Sequence, residues 1–227
     1  MEQLPNYGDQ RQLARCVYCG SNTESRDHVP SKVFLDEPYP PNLPVVPACQ
    51  QCNNAFALDE EYLACLIECT LVGSARIADI RREKVKRILK RQAALLVMLD
   101  RARQDVRGAI FFGIETDRVR NVVLKLARGH AAFELNEPQY DTPSSVTITP
   151  LPSLSDEDRT RFETPPRLSV WPEVGSRAMQ RVIVGDPGAA HWLIVQSGRY
   201  GYMATVGEGV IVRVVLSEYL MCEVAWM

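Results

Sequence analysis

The spacing of apolar positions changes along this chain, and each change predicts a different element. From about 53 to 107, Leu63, Leu66, Ile67, Ile77, Ile80, Ile88, Leu95 and Leu99 recur at helical spacing. Gly73-Ser74 predicts a break in that stretch, with Ser74 capping a second helix. Val119, Val122, Val123 and Leu126 predict a further helix over about 117 to 133, whose end Gly129 would suit. The C-terminal part changes period. Its β-branched runs begin at Arg181, His191 and Gly209 and are separated by turns containing Gly and Asp, which predicts three to five antiparallel strands.

Prolines divide these segments. Six fall between Pro30 and Pro47, and seven between Pro138 and Pro172. A proline lacks the backbone donor that helices and central strands need, so the first cluster predicts an irregular excursion with short strands. The second predicts a connector over about 137–170, with one short helix begun by Ser155 and Asp158 as a capping box. The organisation expected is a unit over 10–62, a helical region over 63–136, the connector, and a β-rich region over 171–227.

Composition narrows the class only a little. Of 227 residues, 46% are hydrophobic and 24% charged, as in ordinary globular proteins. No apolar run approaches the ~18 residues of a membrane span. The start, Met1-Glu2-Gln3-Leu4-Pro5, lacks the basic and apolar regions of a secretory signal, so a cytoplasmic location is expected. A net charge of −2 gives no global argument for nucleic-acid binding. A protein that grips phosphates must then concentrate its basic residues locally.

The seven cysteines carry the first chemical signal. Cys16-Val-Tyr-Cys19-Gly20 has the form of a metal-binding turn, and Cys49-Gln-Gln-Cys52 runs into helical sequence. Two such pairs predict one tetrahedral Zn2+, which four thiolates would close to any further ligand, so that the metal shapes the chain and does no chemistry. Between the pairs lies Arg26-Asp27-His28-Val29-Pro30-Ser31-Lys32. On a strand end, adjacent side chains point to opposite sides, so an acid there can hold a cation while its neighbouring imidazole faces a water. Asn42 follows in the excursion, and Asn53 stands directly after the last cysteine of the pairs.

Cys16-x-x-Cys19, Asp27-His28-x-Pro30, Asn42 and Cys49-x-x-Cys52-Asn53 together resemble the HNH, or His-Me finger, endonucleases, in the branch with a four-cysteine zinc site. The likeness covers about 16–62. It implies an α+β protein with a zinc-stapled ββα, treble-clef-like unit, followed here by the helical region and the C-terminal antiparallel β region. It implies His28 as general base, Asp27 and Asn53 as ligands of one catalytic Mg2+ or Mn2+, and Asn42 as the residue that ties down the loop carrying the base. Asn54 is a second candidate for the place of Asn53. Phe56 stands where relatives often carry a lysine, which leaves Lys32 as a candidate phosphate contact. The groups also suit the chemistry by themselves: an imidazole with a pKa of ~6.5 can deprotonate water near neutrality, and a hard cation can neutralise an expelled oxygen.

Residues 76–91 hold eight basic side chains against Asp79 and Glu83. This stretch meets the requirement for local positive charge, with Arg81, Lys84, Arg87 and Arg91 as candidate nucleic-acid contacts; a solvated helix face or a membrane-surface helix would look the same. Cys65 and Cys69 share a helix face amid leucines and fit buried packing better than ligation. His130 and His191 lack a ligand pattern and read as structural. Trp171, Trp192 and Trp226 suit a core, or a surface on which bases stack. The expected function is hydrolysis of DNA, with RNA as an alternative substrate, in a prokaryotic restriction, phage or defence setting. The rival is a non-catalytic zinc module that binds nucleic acid or protein.

Overall fold

The structure is a computed structural model that describes residues 4–8, 13–166, 170–185 and 191–227. Met1–Gln3 and residues 10–12, at the start of the expected 10–62 unit, lie outside the described residues. The protein is α+β and divides into two compact units, 1–55 with 123–227 and 56–122, the second boundary falling inside a helix. No helix among the described residues is long and apolar enough to cross a membrane.

In the first unit, β1 (Ser25–His28) and β2 (Val45–Ala48) pair antiparallel, with Asp27 opposite Val46 and His28 opposite Val45. Helix α1 (Gln50–Ala55) follows at once, and the Glu24 carboxylate accepts the Gln50 N–H at its start (3.1 Å). Charge at a helix N-terminus is favourable when negative.

The second unit holds α2 (Ala57–Val72), α3 (Glu83–Arg91), α4 (Ala93–Ala102), the hairpin β3 (Arg103–Val106) and β4 (Ala109–Phe112), and the first part of α5 (Thr116–His130). Tyr62 to Ile67 on α2 are buried without interruption, so this helix is a core element with no solvent stripe. Gly73, at φ 70°, ends it and returns its N–H to Cys69 and Thr70 carbonyls. Ser74 does not cap the next helix. Its hydroxyl holds a turn through Asp79 (2.6 Å), and α3 starts nine residues later with Arg82 at its N-cap. The buried Glu68 accepts the N–H groups of Arg81 (2.9 Å) and Arg82 (3.1 Å) and so fixes the chain just before α3. The helical stretch also stops at Ala102, short of 107. Arg107 and Gly108 both have positive φ, a turn that matches strand twist, and so 103–112 folds back as a hairpin.

Back in the first unit, α5 runs past Gly129 and continues as a π-helix over Ala131–Leu135. Asn136, in the left-handed region at φ 59°, ends the run in place of Gly129. Five strands then form one antiparallel sheet in the order β5 (Ser145–Pro150), β9 (Leu220–Trp226), β8 (Val210–Leu216), β7 (Tyr200–Val206), β6 (Leu193–Gln196). Nearly every residue of β7, β8 and β9 is buried, and these strands read as near-continuous apolar runs broken by Thr205, Arg213 and Glu223. The proline-rich stretch contributes β5, with Ile148 opposite Cys222, and α6 (Asp156–Glu163), which Ser155 caps as expected.

One expected strand is a helix. Arg181-Val-Ile-Val-Gly185 lies in and just after α7 (Arg177–Ile183), where the Ser176 hydroxyl accepts the Met179 N–H. Arg177 donates to the Phe133 carbonyl (2.7 Å), and Arg181 pairs with the buried Glu134. These bonds to the π-helix hold α7 in place, while Ile183 and Val184 face solvent. Tertiary anchoring overrides their β propensity.

Candidate functional site

Four sulfurs from two separate parts of the chain meet at one end of the β1–β2 hairpin. The Sγ atoms of Cys16, Cys19, Cys49 and Cys52 lie within 4.8 Å of one another, and Cys19 and Cys49 are 3.7 Å apart. A tetrahedral zinc with Zn–S bonds of about 2.3 Å needs sulfurs about 3.8 Å apart, so the donor set fits that ion. The backbone prepares it. Gly20, at φ 76°, closes the first turn with its N–H on the Cys16 carbonyl (2.9 Å), and the Cys52 N–H points at Cys49 Sγ (3.3 Å). Hydrogen bonds from the Ser21 side chain and backbone lower the Cys19 pKa to about 6. Burial pushes Cys16 and Cys52 up, so a metal would displace protons from them on binding.

The cluster reaches Asp27 directly. Tyr18, inside the first Cys-x-x-Cys turn, donates its hydroxyl to Asp27 Oδ2 (2.8 Å). The same oxygen is ion-paired at 2.8 Å with the ammonium of Lys125, whose side chain is 1% exposed. Lys125 also donates to Ser31 Oγ (2.6 Å) and approaches the His28 carbonyl (3.5 Å). One turn further along α5, Gly129 abuts Val29 so closely that a Cβ there would sit 2.5 Å from Val29 Cγ2. Helix α5 thus presses Lys125 and Gly129 against residues 27–31.

His28 and Asp27 project from opposite faces of β1, as adjacent strand residues must. The imidazole is half-buried. Desolvation first, then the charge of Lys32, lowers its pKa, Lys125 adds to this, and Asp27 opposes it. The ring is therefore neutral near pH 7, the state a general base needs. Asn53, on α1, donates its amide to Ser25 Oγ (3.1 Å) and to the Arg26 carbonyl (3.4 Å), so it ties the helix to the strand that carries Asp27. Asn42 is exposed in the turn that precedes β2, and Lys32 is exposed with its ammonium 5.4 Å from the Tyr39 ring centre.

Asp27 and Asn53 are hard oxygen donors of the type Mg2+ or Mn2+ prefers. In this structure the carboxylate is ion-paired with Lys125, so a divalent cation held by the two would have to compete with that ammonium.

The basic candidates of the second unit are less uniform than their sequence suggests. Arg82 is buried, Arg76 pairs with Asp79 (2.8 Å), Lys86 with Glu83 (2.6 Å), and Arg91 with Glu61. Arg81 and Arg87 are exposed and Lys84 is half-buried.

Three residues of the first unit escape sequence reasoning. Lys125 reads as a solvent position of an amphipathic helix; its only signal is Gly129 one turn away, a sign of close approach on that face. Arg128 reads the same way. Burial lowers its pKa, the Cys52 sulfur opposes that shift, and its guanidinium donates to the Tyr140 and Asp141 carbonyls (3.2 and 3.1 Å). A cation there suits a four-thiolate zinc site, whose net charge is −2. Tyr18 reads only as filler between two cysteines. Cys65 and Cys69 are buried, with pKa values raised by desolvation, and His130 is fully buried beside Tyr200 and Tyr202. Trp226 is core, Trp192 packs on Phe162, and Trp171 is exposed.

Comparison with family models, with curated proteins and with solved structures returns no match for this chain.

Proposed function

We propose that this protein is a phosphodiesterase acting on DNA, built around a zinc-stapled ββα unit of the HNH type. The observation that carries the reading is the four-sulfur cluster, because it closes 16–52 into one unit holding the Asp27-His28 strand and the Asn53 helix. In this reading, neutral His28 takes a proton from water and the resulting hydroxide attacks phosphorus. The bond to the 3′ oxygen breaks and that oxygen takes a proton from solvent, leaving a 3′-hydroxyl and a 5′-phosphate, as the resemblance implies. A divalent cation, when bound, would supply charge neutralisation at the expelled oxygen. Asp27 and Asn53 are its ligands in this reading, and Lys32, Arg81, Lys84, Arg87 and Arg91 are the contacts for the nucleic-acid backbone. RNA is the alternative substrate.

The test is nicking of plasmid DNA, and cleavage of a structured RNA, by the zinc-loaded protein with Mg2+ or Mn2+. His28→Ala should reduce the rate by at least a hundredfold, the scale of a lost general base. Equal rates in the two proteins, or no cleavage of either substrate, would overturn the catalytic reading. One observation favours the rival, a zinc module that binds without hydrolysing: the carboxylate expected to hold the cation is paired with a buried lysine.

A further inference from the structure

The carboxylate at the centre of the site is engaged twice on one oxygen. Asp27 Oδ2 meets Tyr18 Oη and Lys125 Nζ, each at 2.8 Å. The tyrosine contributes a neutral hydrogen bond, whereas the lysine contributes a full charge. The side chain of that lysine is almost wholly removed from water, and its three N–H donors have three oxygens within reach, on Asp27, Ser31 and His28. A buried ammonium survives only with such compensation. Its backbone is fixed by the contact of Gly129 with Val29, so the ammonium can leave only by a swing of its own flexible stem.

We infer that Lys125 and a divalent cation compete for the Asp27 carboxylate, so that Lys125 acts as a built-in countercharge keeping the site closed to metal in the resting protein. This rests on the reading of Asp27 as the cation's ligand. A hard divalent ion is drawn to a carboxylate chiefly by its negative charge, and here that charge is already cancelled. An ion on Asp27 would also stand beside the ammonium, and like charges in a poorly solvated place repel strongly. The cation must therefore displace Lys125 or bind weakly. Removing the positive charge while keeping the volume should open the site.

The test titrates Mn2+ alone into the full-length, zinc-loaded protein, with bound metal read by calorimetry and by loss of the free-ion paramagnetic signal. Lys125→Met should bind Mn2+ at least tenfold more tightly than the wild type, and adding Asp27→Asn to that variant should abolish the gain. Tyr18→Phe, which removes only a neutral hydrogen bond, should give no comparable gain. An unchanged or weaker affinity in Lys125→Met overturns the inference, as does a gain that survives Asp27→Asn or is matched by Tyr18→Phe. Should Lys125→Met fail to retain zinc, Lys125→Gln keeps a donor toward Ser31 and Asp27, and the same outcomes decide. The wild type offers a separate check: micromolar Mn2+ binding that Asp27→Asn removes would also overturn the inference. Nicking is not read in this titration. A wild type that cleaves nothing would therefore refute the nuclease and leave the competition to be judged on its own data.

Discussion

Gly129→Ala sets helix propensity against packing, and the structure says which should win. Within a helix, alanine is favoured over glycine by about 1 kcal/mol, because glycine has more backbone freedom to lose. At Gly129 the new Cβ would stand 2.5 Å from Cγ2, 2.9 Å from Cγ1 and 3.2 Å from Cβ of Val29. Two of these separations cannot be tolerated, so something must move. Val29 is fully buried, its β-branched side chain has little rotamer choice, and its N–H is held by the Pro44 carbonyl (2.9 Å). Forced overpacking of this kind costs about 1–3 kcal/mol, which outweighs the propensity gain and leaves a net loss of about 1 kcal/mol. The assay is urea denaturation of the zinc-loaded protein followed by tryptophan fluorescence. Trp171, Trp192 and Trp226 all belong to the first unit, so the signal reports the part that holds the contact. Val29→Ala alone should also destabilise. The double variant should be more stable than the sum of the two losses by about 1–2 kcal/mol, since the two changes share one space. A Gly129→Ala protein stabilised by about 1 kcal/mol, or effects additive within about 0.5 kcal/mol, would refute the close approach of α5 to residues 28–30.

Further outcomes follow from the cysteine cluster and from the buried histidine. Elemental analysis should return close to one zinc per chain, and Cys49→Ser should lose the metal together with the protease resistance of residues 16–52, because such sites contribute folding energy outright. A Cys49→Ser protein that is folded and still holds a full equivalent of zinc would disprove the four-sulfur site. His130 is fully buried, donates or accepts at Tyr200 (2.7 Å), stacks on Tyr202 (3.6 Å) and feels the charge of Lys125. Desolvation, then Lys125, holds its pKa well below the usual value. The unfolded chain binds a proton there below about pH 6.5 and the folded chain does not, so stability should fall as pH drops from that point, by up to about 1.4 kcal/mol per unit. His130→Gln should flatten this slope in acid denaturation curves; an unchanged slope would show that other groups set it.

How much of this was legible beforehand depends on whether a residue's role is local. The two Cys-x-x-Cys pairs announce themselves, because a metal-binding turn is encoded by residues three apart and by the glycine behind them. The capping pair Ser155 and Asp158 is local in the same sense, and so is the buried β-branched run of β8. Where a remote partner chooses, the sequence misleads. Val182, Ile183 and Val184 carry strand propensity, yet Glu134 and the Phe133 carbonyl hold the arginines of that segment in a helix. Ser74 has the chemistry of a cap, but its hydroxyl holds the turn to Asp79, and Glu68 on α2 fixes the chain just before α3. Gly129 resembles a helix end, and is instead the gap into which Val29 fits.

The sequence by itself therefore determined the α+β class, the four cysteines able to hold a metal, and the adjacency of an acid and an imidazole on a strand end. All of these depend on spacing over a few residues or on the type of side chain. Only the tertiary structure decided the electrostatic state of that acid. Lys125 lies 98 positions away along the chain from Asp27, and a lysine on a helix has the same local pattern whether it faces water or a buried carboxylate. Charge acts through space and packing sets the distance, so no local pattern could reveal that Asp27 is already paired.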